Sequence, residues 1–413
     1  MALAGLLAAS ALSLNVGTGI YDITGPSQGV NFMGMANPSQ KGAGIHFRLR
    51  ARAFIFEEAG ERVAMVSLDA GMGGYILKKR VLASVAATLG TSDLYMDKNV
   101  AISGTHTHSG PSGFLEHTIF QFAGSGWVPA TVDAMVSGTA EAIVRAHNAL
   151  APSDVHIGTK LVGNASANRS PTAYLLNPAE EREKYEAVGG DADQTMVQLS
   201  VAANGSWTGV LNWHATHGTS MNNTNVLVSG DNKGWASYLL ERDINGPTSD
   251  ARRVGAGPFV AAFAATALGD VSPNTLGARC RDTGLPCDAI HSTCNGRSQQ
   301  CSSVGPGKDM FESTGIIAQR QLDVAAALLQ QVGTQPAVEG PVGSVHSYVK
   351  MPGRAVADVT GAPLGHACSA ALGVSFAAGT TDGPGMFDFT QVCAACRARP
   401  PCLPEARLRL RHA

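Results

Sequence analysis

Short apolar runs alternate along the chain with longer stretches in which apolar residues recur at helical spacing. Residues 48–58, "RLRARAFIFEE", and 62–71, "RVAMVSLDAG", flank a turn-like "AGE" and predict a hairpin whose second strand ends at Asp69 and a glycine turn. "YILKKRVLASVAATLG" (75–90) has a helical apolar period and a glycine stop. "NVAISGTHTH" (99–108) reads as a buried strand, and "PATVDAMVSGTAEAIVRAHNAL" (129–150) as an amphipathic helix. "TMVQLSVA" and "TGVLNWHATH" predict two further strands, "KGWASYLLERDI" (233–244) a helix, and "GPFVAAFAATALGDVSPN" (257–274) an apolar strand running into a turn. A long helix is expected over 309–332. Strands alternating with helices argue for an α/β domain with a largely buried sheet, and no internal repeat interrupts the alternation.

Composition narrows the classes. The chain has 413 residues, a formal net charge of −2, 15% charged residues and 48 glycines, which fits a loop-rich globular enzyme. No basic patch points to nucleic acid and no polybasic tract to anionic lipid. The first eleven residues, "MALAGLLAASA", form an apolar run ending in an A-x-A pattern and lacking a basic start, so 1–11 is a candidate signal peptide, against an incomplete or buried N-terminal segment. No other uncharged apolar run reaches the ~18 residues a spanning helix needs. Cys280, Cys287, Cys294 and Cys301 recur every seven residues in a Gly/Pro/Asn/Ser-rich stretch. That spacing lacks the C-x2–4-C of a zinc knuckle, and paired disulfides in an oxidising compartment fit it better than free thiols. N-x-S/T sites at Asn164, Asn168, Asn204 and Asn222 are compatible with secretion. Residues 392–413, rich in Arg, Pro and Cys, break from everything before them and read as an unrelated tail; Cys393 and Cys396 lack the second pair of a metal site.

Three strand ends carry candidate chemistry, where α/β sheets place their sites. In "SGTHTHSGP", His106 and His108 are two apart, and on a strand that spacing turns both to one face, as a zinc pair requires. Hydrogen-bonded core histidines are the bland alternative. "LNWHATHGTSMNN" brings His214 and His217 to a second strand end, which shifts the balance toward a metal. In "GDVSPN", Ser272 occupies a tight turn that is not a G-x-S-x-G elbow, so it is either a reacting group or a hydroxyl capping its own turn. By themselves these features suggest a metal-assisted hydrolase.

The motifs "YDITGP", "NFMGMANPSQKGAGIHFRLRARAFI", "SGTHTHSGP", "NRSPTAYLLNPAEEREKY", "ATHGTSMNNTN", "SGDNKGWASYLLE", "GPFVAAFA", "GDVSPNTLGARC", "TGLPCD", "STCNGR", "GPGKDMFEST" and "GVSFAAGTTDGPG" follow one another from about residue 20 to 391. In that order they resemble the neutral ceramidases, the neutral/alkaline non-lysosomal amidases. The resemblance implies an N-terminal catalytic domain over 17–391, a large mixed β-sheet unit with surrounding helices, without the family's C-terminal immunoglobulin-like domain. It implies His106 and His217 as zinc ligands, Ser272 as the catalytic serine, and His108 and Arg169 as residues needed for activity, in contact with substrate or transition state. It implies the disulfides Cys280–Cys294 and Cys287–Cys301. His214 stands where a Phe or similar residue is expected, a local packing change. The family's other zinc ligands, a Glu and a Tyr, belong to segments downstream of what this chain matches, as does the partner of Cys368, which is therefore expected unpaired. Asp69 or Asp231 is a weaker candidate for the missing ligand. The tail is expected to be an out-of-frame or alternatively spliced end.

The implied function is zinc-dependent hydrolysis of the N-acyl bond of ceramide at a membrane surface, giving sphingosine and a fatty acid, by a secreted or lumenal enzyme. Two alternatives stay open: a catalytically silent ceramide-binding fragment, and a serine amidase without metal. Ser272 is expected either to hydrogen-bond ceramide or to act as nucleophile. Phe114, Phe120 and Phe122 could line an apolar slot for the chains, although core packing is the commoner use of such residues.

Overall fold

A computed structural model describes residues 14–186, 190–246, 257–287, 294, 300–370 and 379–384. The candidate signal peptide and the tail from 392 lie outside them. The chain divides into two compact units, the first comprising residues up to 167, 192–275 and 305–346, and the second 168–191, 276–304 and 347 onward.

Two mixed sheets build the first unit. One contains β1 (Asn15–Asp22), β2 (Arg50–Glu58), β3 (Glu61–Leu68), β4 (Val100–Gly104) and the short β5 (Ala151–Pro152), in the order β4-β3-β2-β1-β5. All its pairs are antiparallel except β3 with β4, which are joined through helix α1 (Tyr75–Leu89). The predicted hairpin closes through Ala59 and Gly60, both at positive φ, the backbone that a tight two-residue turn demands. The other sheet contains β6 (Asp154–Leu161), β7 (Thr195–Ala203), β8 (Ser206–His214) and β9 (Val260–Ala265), ordered β9-β8-β7-β6 with β8 and β9 parallel.

The sheets face each other across Ile20, Phe54, Leu211, Val260, Ala262 and Ala264. Helices cover the outer faces. α1 and α2 (Pro129–Asn148) lie on the first sheet, and α3 (Asp231–Asn245) and α4 (Met310–Gln330) on the second. Both faces of each sheet are therefore buried, which is why its strands read as apolar runs. Gly17 and Gly19 on β1 let α2 approach closely, because a Cβ on either would collide with carbonyls of that helix.

Polar groups tie these layers together. Arg52 on β2, 2% exposed, donates Nε to Glu241 of α3 at 2.7 Å and Nη1 to both oxygens of Asp69 at 3.0 and 2.9 Å. Burial alone would depress the Arg52 pKa, but Asp69 and Glu241 outweigh it and hold the guanidinium charged. Lys233 on α3 is also buried and has no carboxylate. Its Nζ donates to the carbonyls of His214 and Ala264, both at 2.9 Å, and to Gln321 Oε1 at 3.3 Å, while burial pushes its pKa down to about 7.

In the second unit the strand Ala278–Cys280 pairs antiparallel with Cys301–Ser303, and the disulfides are Cys280–Cys294 and Cys287–Cys301, as the resemblance implied. Cys368 corrects the expectation that it is unpaired, for it too is disulfide-bonded. Two strands are shorter than the apolar pattern suggested. The one expected over 99–108 ends at Gly104, and the apolar strand read within 257–274 spans Val260–Ala265 before its loop, because polar and glycine-rich residues leave each ladder. Phe114 is core, Phe120 packs against it and Phe122 is 89% exposed.

Replacing Arg52 by Leu strands two buried carboxylates and is expected to cost about 3–5 kcal/mol in denaturant unfolding. Lys233 binds fewer protons folded than unfolded between pH about 7 and its ordinary 10.5, so its contribution makes stability rise with pH across that window. Melting curves of Lys233→Met across this range are expected to lose that part of the rise; an unchanged slope would contradict it.

Candidate metal centre

Two loops meet at the ends of the sheets. The first follows β4, and in it His106 adopts a left-handed backbone, φ 68°. A non-glycine residue there is uncommon, and such strain concentrates at functional sites. The strand-face argument for the His106–His108 pair therefore does not apply, since the ladder has ended two residues earlier. The rings converge by a different route. Thr107 bridges to Gly218, His108 N–H donates to the Gly218 carbonyl at 3.0 Å, and this holds the His217 loop against the His106 loop. Gly218 has no room for a Cβ, which would run into the His106 carbonyl.

Ring centroids of His106, His108 and His217 stand 4.7, 4.6 and 5.0 Å apart, each pair nearly edge to face. One nitrogen from each lies within 4.8 Å of the others, a group that could hold a metal ion. Three imidazoles on one tetrahedral zinc, at about 2.0–2.1 Å per nitrogen, put their centroids about 5 Å apart, so the spacing fits. The tautomers fit as well. Nδ1 of His106 faces the Gly71 carbonyl, and Nδ1 of His217 faces the Leu268 carbonyl at 2.7 Å. A carbonyl only accepts, so both Nδ1 atoms carry the proton and both Nε2 atoms present the lone pair that a metal takes. His108 turns Nδ1 toward the Met35 sulfur at 3.5 Å, and its ring lies against Gly34.

The other candidates fall in different places. Asp69 and Asp231 are not members of this group. Asp69 is held by Arg52 and by the Arg50 N–H. Asp231, at the start of α3, accepts from the N–H groups of Ser220, Met221 and Asn232, and burial pushes its pKa up to about 6. Neither carboxylate joins the histidine group; Asp69 is committed to Arg52 and Asp231 to backbone N–H groups. His214 is a core histidine behind the site, depressed to about 3 by burial and then by Lys233. Ser272 is buried, four residues after Leu268, and its Oγ accepts from Asn274 N–H at 3.1 Å, the turn-capping role that its sequence allowed. Arg169 belongs to the second unit, where its guanidinium faces Asp382 at 3.7 Å. A cleft of about 480 Å³ opens beside His106, lined among others by Gly73, Tyr75, Lys78, Ile102 and Leu268. Sequence reasoning did not find Gly34, Gly71 or Leu268, since two act through backbone carbonyls and one through the lack of a side chain.

A family description, neutral/alkaline non-lysosomal ceramidase, N-terminal, matches residues 14–402. The chain belongs to this family. It is 46% identical over 385 residues to neutral ceramidase B of Dictyostelium discoideum, covering 92% of this chain and 52% of that protein. It is 46% identical to neutral ceramidase of Drosophila melanogaster over 404 residues, 94% of this chain and 55% of that one. The crystal structure of neutral ceramidase from Pseudomonas aeruginosa superposes with a TM-score of 0.72 at 34% identity, covering 88% of this chain and 52% of the other. The chain spans about half the length of the curated relatives it matches.

Gly34 sits at φ 121°, and a Cβ there would meet the His108 ring. Gly34→Ala is expected to lower stability by about 1–2 kcal/mol and to move the His108 ring resonances by NMR, leaving those of His156 in place.

Proposed function

We propose that this chain is a zinc-dependent amidase that hydrolyses the N-acyl bond of ceramide to sphingosine and a fatty acid. The observation that carries the reading is the convergence of His106, His108 and His217 in a member of the ceramidase family. An amide resists water because its carbonyl is a poor electrophile and its amine a poor leaving group. Zinc, when bound, supplies Lewis acidity that polarises the carbonyl and makes water a stronger acid.

The chain's residues supply the rest. His106 and His217 hold the ion through Nε2, their tautomers fixed by the Gly71 and Leu268 carbonyls. His108 stands on the third side of the group and hydrogen-bonds the amide oxygen as negative charge develops on it, a role worth about 2.7 kcal/mol of barrier in comparable sites. Ser272 hydrogen-bonds ceramide through its hydroxyl. The C–N bond breaks, the C–O bond forms from water, and the water's proton leaves on the amine of sphingosine. The cleft beside His106 takes part of the lipid. The disulfides fit a secretory or extracellular setting, and no described helix is long and apolar enough to cross a membrane.

A second reading stays beside it, the catalytically silent ceramide-binding fragment, because the chain spans about half the length of the curated relatives it matches.

Zinc stoichiometry and release of labelled fatty acid from ceramide by the purified chain separate these readings. The amidase reading expects bound zinc, turnover, and loss of turnover on chelation; ceramide binding without release supports the silent fragment, and turnover surviving chelator but lost in Ser272→Ala supports a serine amidase. His106→Ala and His217→Ala are expected to lose zinc. His108→Ala is expected to retain zinc and to lower kcat roughly 100-fold; loss of zinc there would make His108 a ligand instead.

A further inference from the structure

The His217 loop is also gripped from behind by a chain of buried side chains that no step above uses. Asn232, the second residue of α3, is fully buried. Its Nδ2 donates to the His217 carbonyl at 2.9 Å, to Ser220 Oγ at 3.1 Å and to Asp231 Oδ1 at 3.0 Å. Its Oδ1 accepts from Nε2 of Gln321 on α4 at 3.1 Å. The other end of the Gln321 amide, Oε1, accepts from Lys233 Nζ.

The polarity of both amides is forced. At one end, while Lys233 is protonated, stands an ammonium facing three oxygen acceptors, which can only donate. At the other stands a main-chain carbonyl, which can only accept. Two amides between a donor and an acceptor have one consistent orientation, and flipping either would set oxygen against oxygen in a buried site. Asn232 is doubly constrained, because a flipped Oδ1 would also face the Asp231 carboxylate.

We propose that Lys233, Gln321 and Asn232 form an amide relay that fixes the His217 carbonyl and thereby positions the His217 ring for a metal ion. The relay rests on the zinc reading above only in its last step. It connects α4, about a hundred residues away in sequence, to the loop that carries the ligand. Asn232 and Gln321 are positioning residues; neither touches substrate or metal. Supporting groups of this kind hold ligand rings within the narrow range that tight binding needs.

Gln321→Glu separates positioning from stability. The new carboxylate pairs with Lys233, which supports the fold, but it sets an oxygen against Asn232 Oδ1 and breaks the relay. Zinc affinity, read by competition with a chromophoric chelator, is expected to fall at least about tenfold while the melting temperature of the zinc-free chain holds or rises. Gln321→Met, which removes both contacts, is expected to weaken zinc to a similar degree. In both variants the His217 Cε1–H resonance of the zinc-free chain is expected to shift, with that of His156 unmoved. An unmoved His217 resonance in both overturns the relay, as does zinc affinity within twofold of the unmodified chain. If the unmodified chain binds no zinc, the amidase reading fails, and the resonance comparison still decides whether the relay sets the His217 loop.

Discussion

The guanidinium of Arg52, clasped between Asp69 and Glu241, is the contact on which the arrangement depends. It projects from the first sheet, reaches α3 over the second, and is buried with both of its partners. Two carboxylates and one cation withdrawn from water are tolerable only when each carboxylate oxygen meets a donor, and here each does. Asp69 also receives the Arg50 N–H, and Glu241 the Ala261 N–H. Asp69 leads directly into Ala70 and Gly71, whose carbonyls take the His106 N–H and ring nitrogen. The ion pair that joins the layers thus also sets the floor under the first histidine.

The second histidine is fixed by an equivalent logic with different parts. The His217 ring is held through a carbonyl of the loop after β9, and its backbone through Asn232 on α3. Both rings are thus oriented by main-chain oxygens, and these oxygens are placed by sheets and helices buried on both sides. Of the three histidines only His106 adopts a left-handed backbone, which its packed surroundings maintain.

Much of this was legible in the chain. The hairpin, four long helices and the central strands follow from apolar periodicity, because every face they present is either core or solvent. The three histidines were visible as residue types at strand ends. Their convergence was not derivable from alternation, since the ladder stops at Gly104 and the turn that follows sets the ring directions. Asp69 and Asp231 looked like ligands because acidic residues at strand and helix ends often are; in the fold their oxygens are taken by Arg52 and by backbone N–H groups. Gly34 and Gln321 carry no chemical signature in a sequence, because one acts by leaving space and the other by the direction of an amide. The same blindness explains Cys368, whose bonding depends on a partner that spacing could not name.

The main-chain grip on Nδ1 of His106 and His217 has a consequence for how an ion arrives. The choice of tautomer, which a free histidine ring in water leaves open, is already made when the loops close. Capture therefore demands no reshuffling of protons on the rings and little change of shape, so empty and filled proteins should differ mainly in how stiffly these loops vibrate.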